Sequence, residues 1–221
     1  MDQTEKTILE VEGLSKSFGG LMAVSNLGLK VYEGEILGVI GPNGSGKTTV
    51  FNLITGFLKP DDGKVRFKGN DITGIKPHQI CKAGIARTFQ LVKPFARMTV
   101  LQNVMAGRAY GRSSVRGMRQ ATSEAEELLE FAGLSSKRSV DASQLGLADR
   151  KRLEITRALA TKPDLLLLDE AMAGLNPAEI QDAMRLMKEI RASGITLMPV
   201  GRRHCYLNIM GSVGSPAADN K

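Results

Sequence analysis

Residues 41–49 read Gly41-Pro42-Asn43-Gly44-Ser45-Gly46-Lys47-Thr48-Thr49, and they satisfy every fixed position of the phosphate-binding pattern G-x-x-x-x-G-K-[ST]. Glycines in such a loop allow successive backbone N–H groups to turn inward around a β-phosphate. The Lys47 ammonium adds a charge for the β- and γ-phosphates, and the Thr48 hydroxyl is placed to bind Mg²⁺. The pattern therefore predicts a site for a nucleoside triphosphate and its Mg²⁺ ion.

The segments on either side of this loop support the match. The run from Glu35 to Ile40 is short and apolar, as expected for a buried strand, and Thr48 to Ile54 places apolar residues at helical spacing. Strand, loop and helix thus occur in the order that the motif requires. The alternative is a glycine-rich turn that matches by chance, and the two correct flanks argue against it.

A second element of a phosphate site follows later in the chain. Residues 165–170 read Leu165-Leu166-Leu167-Leu168-Asp169-Glu170, which predicts a buried parallel strand that delivers two carboxylates to its carboxyl end. We expect Asp169 to lie beside Lys47 and to hold Mg²⁺ or its water, and Glu170 to position the attacking water. Taken alone, Asp169 could simply cap a turn. The phosphate loop upstream favours the catalytic interpretation.

The remaining pattern alternates strand and helix signals, which predicts an α/β domain over residues 1–200. An antiparallel β layer precedes the phosphate loop, and a mostly helical insertion over approximately residues 79–140 interrupts the core. The predicted elements are strands at 8–14, 24–32, 64–67 and 196–200 and helices at 100–106, 123–131, 150–162 and 177–191. Residues 201–221 form an atypical C-terminal tail.

Composition narrows the class of partner. The net charge is +7, but the basic residues are spread along the chain, Trp is absent and aromatics are only 5%, so we expect no nucleic acid. Cys81 and Cys205 lie far apart without metal-ligand spacing, which argues against a disulfide framework or a zinc site. No apolar run has the length to cross a bilayer, and the start lacks the apolar core of a signal peptide. We expect a cytoplasmic chain unless a membrane partner holds it.

From about residue 8 to residue 200 the chain resembles the ATP-binding cassette (ABC) family. The resemblance implies an α/β P-loop NTPase core, with a mixed parallel sheet flanked by helices, an antiparallel β layer and a helical subdomain. It also implies ATP and Mg²⁺ as ligands. Phe18 matches the aromatic that stacks on adenine, although on its own it would more often be a core side chain. Gln90 matches the glutamine that touches Mg²⁺ and the attacking water.

The resemblance also assigns roles within the site. The implied catalytic residues are Glu170, Gln90 and Lys47. The implied nucleotide-binding residues are Phe18 and residues 41–49. The implied Mg²⁺ ligands are Thr48, Gln90 and Asp169.

Within the family, the phrases at residues 11–20, 84–90 and 153–160 are similar to those of ATPase subunits of branched-chain amino-acid importers. This implies an ATP-hydrolysing subunit that works with a second ABC ATPase subunit, membrane permease subunits and, indirectly, a periplasmic solute-binding protein. Its place would be the cytoplasmic face of the inner membrane. The alternatives are an ATPase for another polar solute or for lipid export, a subunit that binds ATP without efficient hydrolysis, and a soluble ABC protein acting on ribosomes or DNA.

The chain departs from the family at its signature, where Leu-Ser-Gly-Gly-Gln is replaced by Leu145-Gly146-Leu147-Ala148-Asp149. The serine that would contact the partner's ATP is absent, and Asp149 adds a carboxylate. Asp149 could instead be the N-cap of the following helix. Because the signature acts across a dimer, we predict a heterodimer whose other subunit carries a regular signature. Asn176 stands where the family usually has Asp.

A further departure lies after Val200, where the family continues with Glu-His. Gly201 and Arg202 occupy those two positions, and His204 comes two residues too late to be assigned the role. Loss of this switch histidine should slow hydrolysis more than it weakens ATP binding, because the histidine acts mainly on the transition state. The tail that follows resembles nothing in the family, which a truncation or a reading-frame shift near Val200 would explain.

Overall fold

The computed structural model describes residues 6–90, 93–115 and 117–201. Its strands are β1 (Thr7–Phe18), β2 (Leu21–Tyr32), β3 (Val39–Ile40), β4 (Asp62–Phe67), β5 (Asn70–Asp71), β6 (Ile85–Arg87), β7 (Leu165–Asp169) and β8 (Thr196–Gly201). Its α-helices are α1 (Lys47–Ile54), α2 (Pro77–Ala83), α3 (Val100–Tyr110), α4 (Met118–Phe131), α5 (Leu147–Leu159) and α6 (Pro177–Ala192).

The N-terminal strands form an antiparallel sheet with the order β2-β1-β4-β5. Strand β1 pairs with β2 on one side and with β4 on the other, in a register that sets Leu9 opposite Phe67 and Val11 opposite Val65. These four side chains are buried in the main core. The alternation of apolar and polar residues in β1 places its apolar side chains on the core face. The antiparallel β layer predicted from the sequence is confirmed.

A parallel sheet with the order β3-β8-β7-β6 forms the centre of the domain. The four leucines of β7 are fully buried, because neighbouring strands and helices cover this strand on both faces. Since the strands are parallel, the segments that follow β3, β6 and β7 meet at one edge of the sheet. That edge gathers the phosphate loop, Gln90 and the two carboxylates.

One predicted strand is shorter than expected. The apolar run from Glu35 to Ile40 forms a continuous strand only at Val39–Ile40, preceded by an isolated bridge between Ile36 and Leu197. The Leu37 N–H donates to the Leu197 carbonyl at 3.0 Å, so the run follows β8 without a complete ladder. The segment is only partly buried, with Ile40 37% exposed, so the prediction of a regular buried strand is wrong for most of this run.

The helical part of the domain consists of α3, α4 and the adjoining side of α5. Its core contains small and aliphatic side chains from all three helices, namely Val100, Val104, Ala125, Leu129 and Leu153. The insertion was expected to start at about residue 79, but β6 pairs with β7 in the parallel sheet. The helical part therefore begins after β6, and the stretch up to Arg87 belongs to the core.

Helix boundaries correct a second expectation. Helix α5 begins at Leu147 with Gly146 as its N-cap, three residues before the predicted start at 150. Asp149 therefore lies inside the first turn, and the alternative that it is the N-cap is wrong. None of the described helices is both long and apolar enough to cross a membrane.

Helix α6 starts at Pro177, as the pattern predicted. Asn176 is its N-cap: its Oδ1 accepts from the Glu179 N–H at 3.0 Å, and the Glu179 carboxylate accepts from the Asn176 N–H at 2.9 Å. This reciprocal capping box satisfies two otherwise unpaired donors. Asn therefore serves as an effective cap at the position where the family usually has Asp.

Candidate nucleotide-binding and catalytic site

The phosphate loop turns through two glycines with left-handed backbones, Gly44 at φ 81° and Gly46 at φ 83°. A Cβ on Gly46 would lie 2.4 Å from the Ala23 carbonyl oxygen in β2, so only glycine fits there. The antiparallel sheet thus packs directly against the loop. This contact also brings the end of the β1–β2 hairpin, which carries Phe18, toward the phosphate loop.

Lys47 begins α1, and its ammonium lies over the loop. Nζ donates to the Gly41 carbonyl at 2.8 Å, the Pro42 carbonyl at 2.5 Å and the Ser45 hydroxyl at 3.1 Å. The first turn of α1 contains no acidic residue and its N-cap makes no side-chain hydrogen bond, so the helix presents free N–H donors at its positive end. These donors suit the loop to an anion, and the binding role expected for residues 41–49 stays a prediction.

Asp169 ends β7, and its side chain is almost fully buried against Arg87. The Arg87 Nη2 donates to Asp169 Oδ2 at 2.8 Å, and the two side chains are 5% and 1% exposed. The Asp169 backbone N–H donates to the Thr88 hydroxyl at 3.1 Å. The cation that pairs with Asp169 is therefore Arg87, and the expected position of Asp169 beside Lys47 stays a prediction.

Arg87 also ties the phosphate-loop helix to the acidic strand. Its Nη1 donates to Asn52 Oδ1 at 2.6 Å, and its guanidinium lies 5.5 Å from the centroid of the Phe51 ring and 5.0 Å from that of Phe89. Asn52 lies one helical turn after Thr48, on the same face of α1. Apart from its position at the end of β6, nothing in the sequence singles out Arg87 for this role.

One oxygen of Asp169 is suited to a cation. Asp169 Oδ1 is buried and makes no hydrogen bond within the described residues. A buried carboxylate oxygen without a donor is unfavourable unless a cation or a water binds it. Within the described part of the chain, no group of three or more His, Cys, Asp or Glu side chains could hold a metal alone. Mg²⁺ fits this arrangement, since it takes one or two carboxylates together with phosphate and water oxygens.

The structure brings Gln90 and Glu170 into direct contact. The Gln90 Nε2 donates to Glu170 Oε2 at 3.0 Å. Glu170 has a left-handed backbone with φ 48°, which costs a residue other than glycine on the order of 1–3 kcal/mol. Its N–H donates to the Val200 carbonyl at 3.0 Å, and its own carbonyl accepts from the Ala173 N–H at 3.0 Å. The surrounding backbone therefore supports this conformation.

Helix α5 adds two buried charged residues that sequence reasoning did not single out. The Lys151 ammonium donates to the Glu170 carbonyl at 2.9 Å, and Glu154 Oε1 accepts from the Phe89 N–H at 2.8 Å. Burial lowers the pKa of Lys151, opposed by the nearby charges of Glu154 and Glu170. Burial raises the pKa of Glu154, opposed first by the Phe89 hydrogen bond. The sequence carried no signal for their burial, because charged residues of a helix ordinarily face water.

Phe18 is not a core side chain. It ends β1 and is 46% exposed, which leaves much of its ring accessible to a planar ligand. The Lys16 ammonium lies 5.7 Å from the ring centroid and is paired with Asp61 at 2.5 Å. The structure thus leaves the Phe18 ring open at the end of the β1–β2 hairpin, in the sheet that packs on the phosphate loop.

The altered signature segment lies at the start of α5. Leu145 is buried, whereas Leu147 is 46% exposed. The Asp149 carboxylate forms an ion pair with Lys137, which offsets the added negative charge. The predicted departure at Arg202, together with His204 and the tail, lies outside the described residues.

The fold and this site define an ABC-type ATPase cassette, and the sequence profile of the family described as "ABC transporter" matches residues 24–173. The chain belongs to this family. It is 42% identical over 196 residues to the high-affinity branched-chain amino acid transport ATP-binding protein LivG of Escherichia coli (strain K12), an alignment that covers 83% of this chain and 77% of LivG. The ABC-type fold expected from the sequence is confirmed.

Two solved structures are similar to this chain. One is the ADP conformation of an ATP-binding cassette of an ABC transporter, with a TM-score of 0.85 and 36% identity, covering 92% of this chain and 84% of that one. The other is a dimeric, post-hydrolysis ATP-binding cassette bound to ADP and Pi, with a TM-score of 0.81 and 25% identity, covering 92% and 90%.

Proposed function

We propose that this chain hydrolyses ATP to power an importer of branched-chain amino acids. The observation that carries the proposal is its 42% identity to an ATP-binding protein named for high-affinity branched-chain amino acid transport, over most of both chains. The Gln90–Glu170 contact beside a phosphate cradle supports hydrolysis in addition to binding.

In the proposed reaction the phosphate loop and Lys47 bind the β- and γ-phosphates, and the Phe18 ring stacks on adenine. Glu170 orients the attacking water and accepts its proton, while Gln90 holds the Glu170 carboxylate in place. Thr48, Gln90 and Asp169 would hold Mg²⁺, which neutralises charge that develops on the phosphate oxygens. Asp169 Oδ1 is free to serve as such a ligand because Arg87 occupies only Oδ2.

We further propose that the working unit contains a second ABC ATPase subunit with a regular signature. The support is the replacement of the signature serine and glycines by Gly146, Leu147 and Ala148, together with the dimeric assembly of a similar cassette. This chain would then bind and hydrolyse ATP in its own phosphate loop against the partner's signature. Its own altered surface would face the partner's ATP.

The similarity to a branched-chain amino acid transport ATP-binding protein also supports our proposal for the membrane and periplasmic partners. We place the chain on the cytoplasmic face of the inner membrane, held there by permease subunits and served indirectly by a periplasmic solute-binding protein. The absence of His at the switch position, where Arg202 stands, leads us to propose slow turnover with unimpaired ATP binding.

Transport in a reconstituted system tests the proposal. The membrane complex that co-purifies with this chain is placed in proteoliposomes, and ATP-dependent accumulation of labelled leucine, isoleucine and valine is measured. The wild-type complex should accumulate these solutes, and a complex with Lys47→Ala should not. Uptake of urea, amides or another solute in place of the three amino acids would instead assign the chain to a related transporter and contradict the proposed substrate.

A further inference from the structure

One face of α5 runs from the altered signature segment to the centre of the catalytic site. Leu147, Lys151 and Glu154 follow each other at spacings of four and three residues, so they share this face. Leu147 is 46% exposed at the surface, while Lys151 and Glu154 are 8% and 6% exposed. The face therefore connects the dimer-facing surface of the chain with its interior.

Lys151 acts on the backbone of Glu170. Its ammonium donates to the Glu170 carbonyl at 2.9 Å, and this is the residue with the left-handed φ of 48°. Residues other than glycine rarely adopt this conformation unless their surroundings impose it. Because the bond ends on the backbone and not on the carboxylate, it constrains the direction in which the Glu170 side chain leaves the strand.

Glu154 holds the chain segment that carries Gln90, the side chain that contacts Glu170. Its Oε1 accepts from the Phe89 N–H at 2.8 Å, and the next residue is Gln90, whose amide contacts Glu170 at 3.0 Å. One helix face thus holds the two chain segments that carry Gln90 and Glu170.

Stability alone does not account for these two charged residues. A buried ion pair or charge network is often replaced by apolar residues of similar volume without loss of stability. Burial disfavours the charged forms of both side chains, as the lowered pKa of Lys151 and the raised pKa of Glu154 indicate. Their hydrogen bonds to catalytic segments give them a role that apolar residues could not fill.

We propose that Lys151 and Glu154 are positioning residues that set the geometry of Glu170 and Gln90 and link it to the signature surface at the start of α5. The proposal rests on Glu170 acting as proposed above. A shift of α5 against a partner subunit would then move the Glu170 backbone and the Gln90 segment together.

Lys151→Met tests this role, with Lys151→Arg as the conservative variant and Lys188→Met, at an exposed position of α6, as the control. ATP affinity is measured on the full chain and hydrolysis on the assembled complex. Lys151→Met should lower kcat by about 100-fold, the effect of misplacing a catalytic group, while ATP affinity stays within about twofold. Lys151→Arg should restore most of the rate, and Lys188→Met should behave as wild type.

A crystal structure of the Lys151→Met chain gives a second measurement that needs no turnover. We expect the φ of Glu170 to leave the left-handed region and the Gln90–Glu170 hydrogen bond to break. Retention of both features, an unchanged kcat, or a joint loss of thermal stability and ATP affinity would overturn the positioning role. If the wild-type complex itself does not hydrolyse ATP, the proposed function fails, and the structure of the variant still decides the role of Lys151.

Discussion

Replacing Arg87 by Met removes the guanidinium that joins the phosphate-loop helix to Asp169, while keeping a long apolar side chain. The two side chains are 5% and 1% exposed, so the substitution leaves a buried carboxylate without its cation. Removal of one partner from such a pair costs ~3–5 kcal/mol. For a domain of this size each kcal/mol shifts Tm by roughly 2–4 °C, so we expect Tm to fall by roughly 6–20 °C.

Urea unfolding of the full chain, followed by circular dichroism, measures this change in free energy of unfolding. Arg66→Met is the matched control, because Arg66 pairs with Glu12 at 2.7 Å on the surface and should contribute less than about 1 kcal/mol. The double variant Arg87→Met/Asp169→Asn should regain part of the loss, since no unpaired charge remains. If Arg87→Met unfolds like Arg66→Met, or the double variant is no more stable than Arg87→Met alone, the buried pair does not stabilise the fold in this way.

Two further predictions concern acid stability and the phosphate loop. Hydrogen bonds from Arg108, and then from Lys162 and Gln120, lower the pKa of Glu124 to about 2. The folded pKa lies below the unfolded value, so the stabilisation is present above pH 4.5 and is lost as the pH falls toward 2. The free energy of unfolding, measured between these pH values, should depend less on pH for Glu124→Gln than for wild type. Equal slopes of this free energy against pH would contradict the lowered pKa of Glu124. Gly46→Ala combines a φ of 83° with a 2.4 Å approach to the Ala23 carbonyl. The Gly46→Ala substitution should lower the free energy of unfolding by more than about 1 kcal/mol and lower ATP affinity roughly tenfold or more. Gly117→Ala, at a φ of −84° and in open space, should bind ATP like wild type in the same titration, and equal affinities for all three proteins would refute the steric argument.

The sequence predicted the parts of the site whose chemistry depends on local spacing. The loop from Gly41 to Thr49 and the acidic pair at the end of β7 are continuous patterns, because each forms its geometry within a few consecutive residues at the end of a strand. The fold class followed from the same alternation of strands and helices. These features were predictable because short-range backbone requirements determine them.

Contacts between distant segments were not predictable in this way. Arg87 reaches Asp169 across 82 residues, and a single arginine at the end of a strand gives no sign of its partner. Lys151 and Glu154 occur in a helix whose charged residues would ordinarily face water. The start of α5 was misplaced because Asp149 is a good capping residue, whereas the actual N-cap, Gly146, offers no side chain.

We propose that this chain binds ATP in its phosphate loop and hydrolyses it with Glu170. Single-turnover hydrolysis of MgATP by the assembled complex, with wild type compared with Glu170→Gln, measures both properties. We predict that Glu170→Gln binds MgATP within about twofold of the wild-type affinity. Its hydrolysis rate should fall by ~100-fold or more, because the group that accepts the proton is lost. Equal hydrolysis rates for the two proteins, or no ATP binding by either, would contradict the claim.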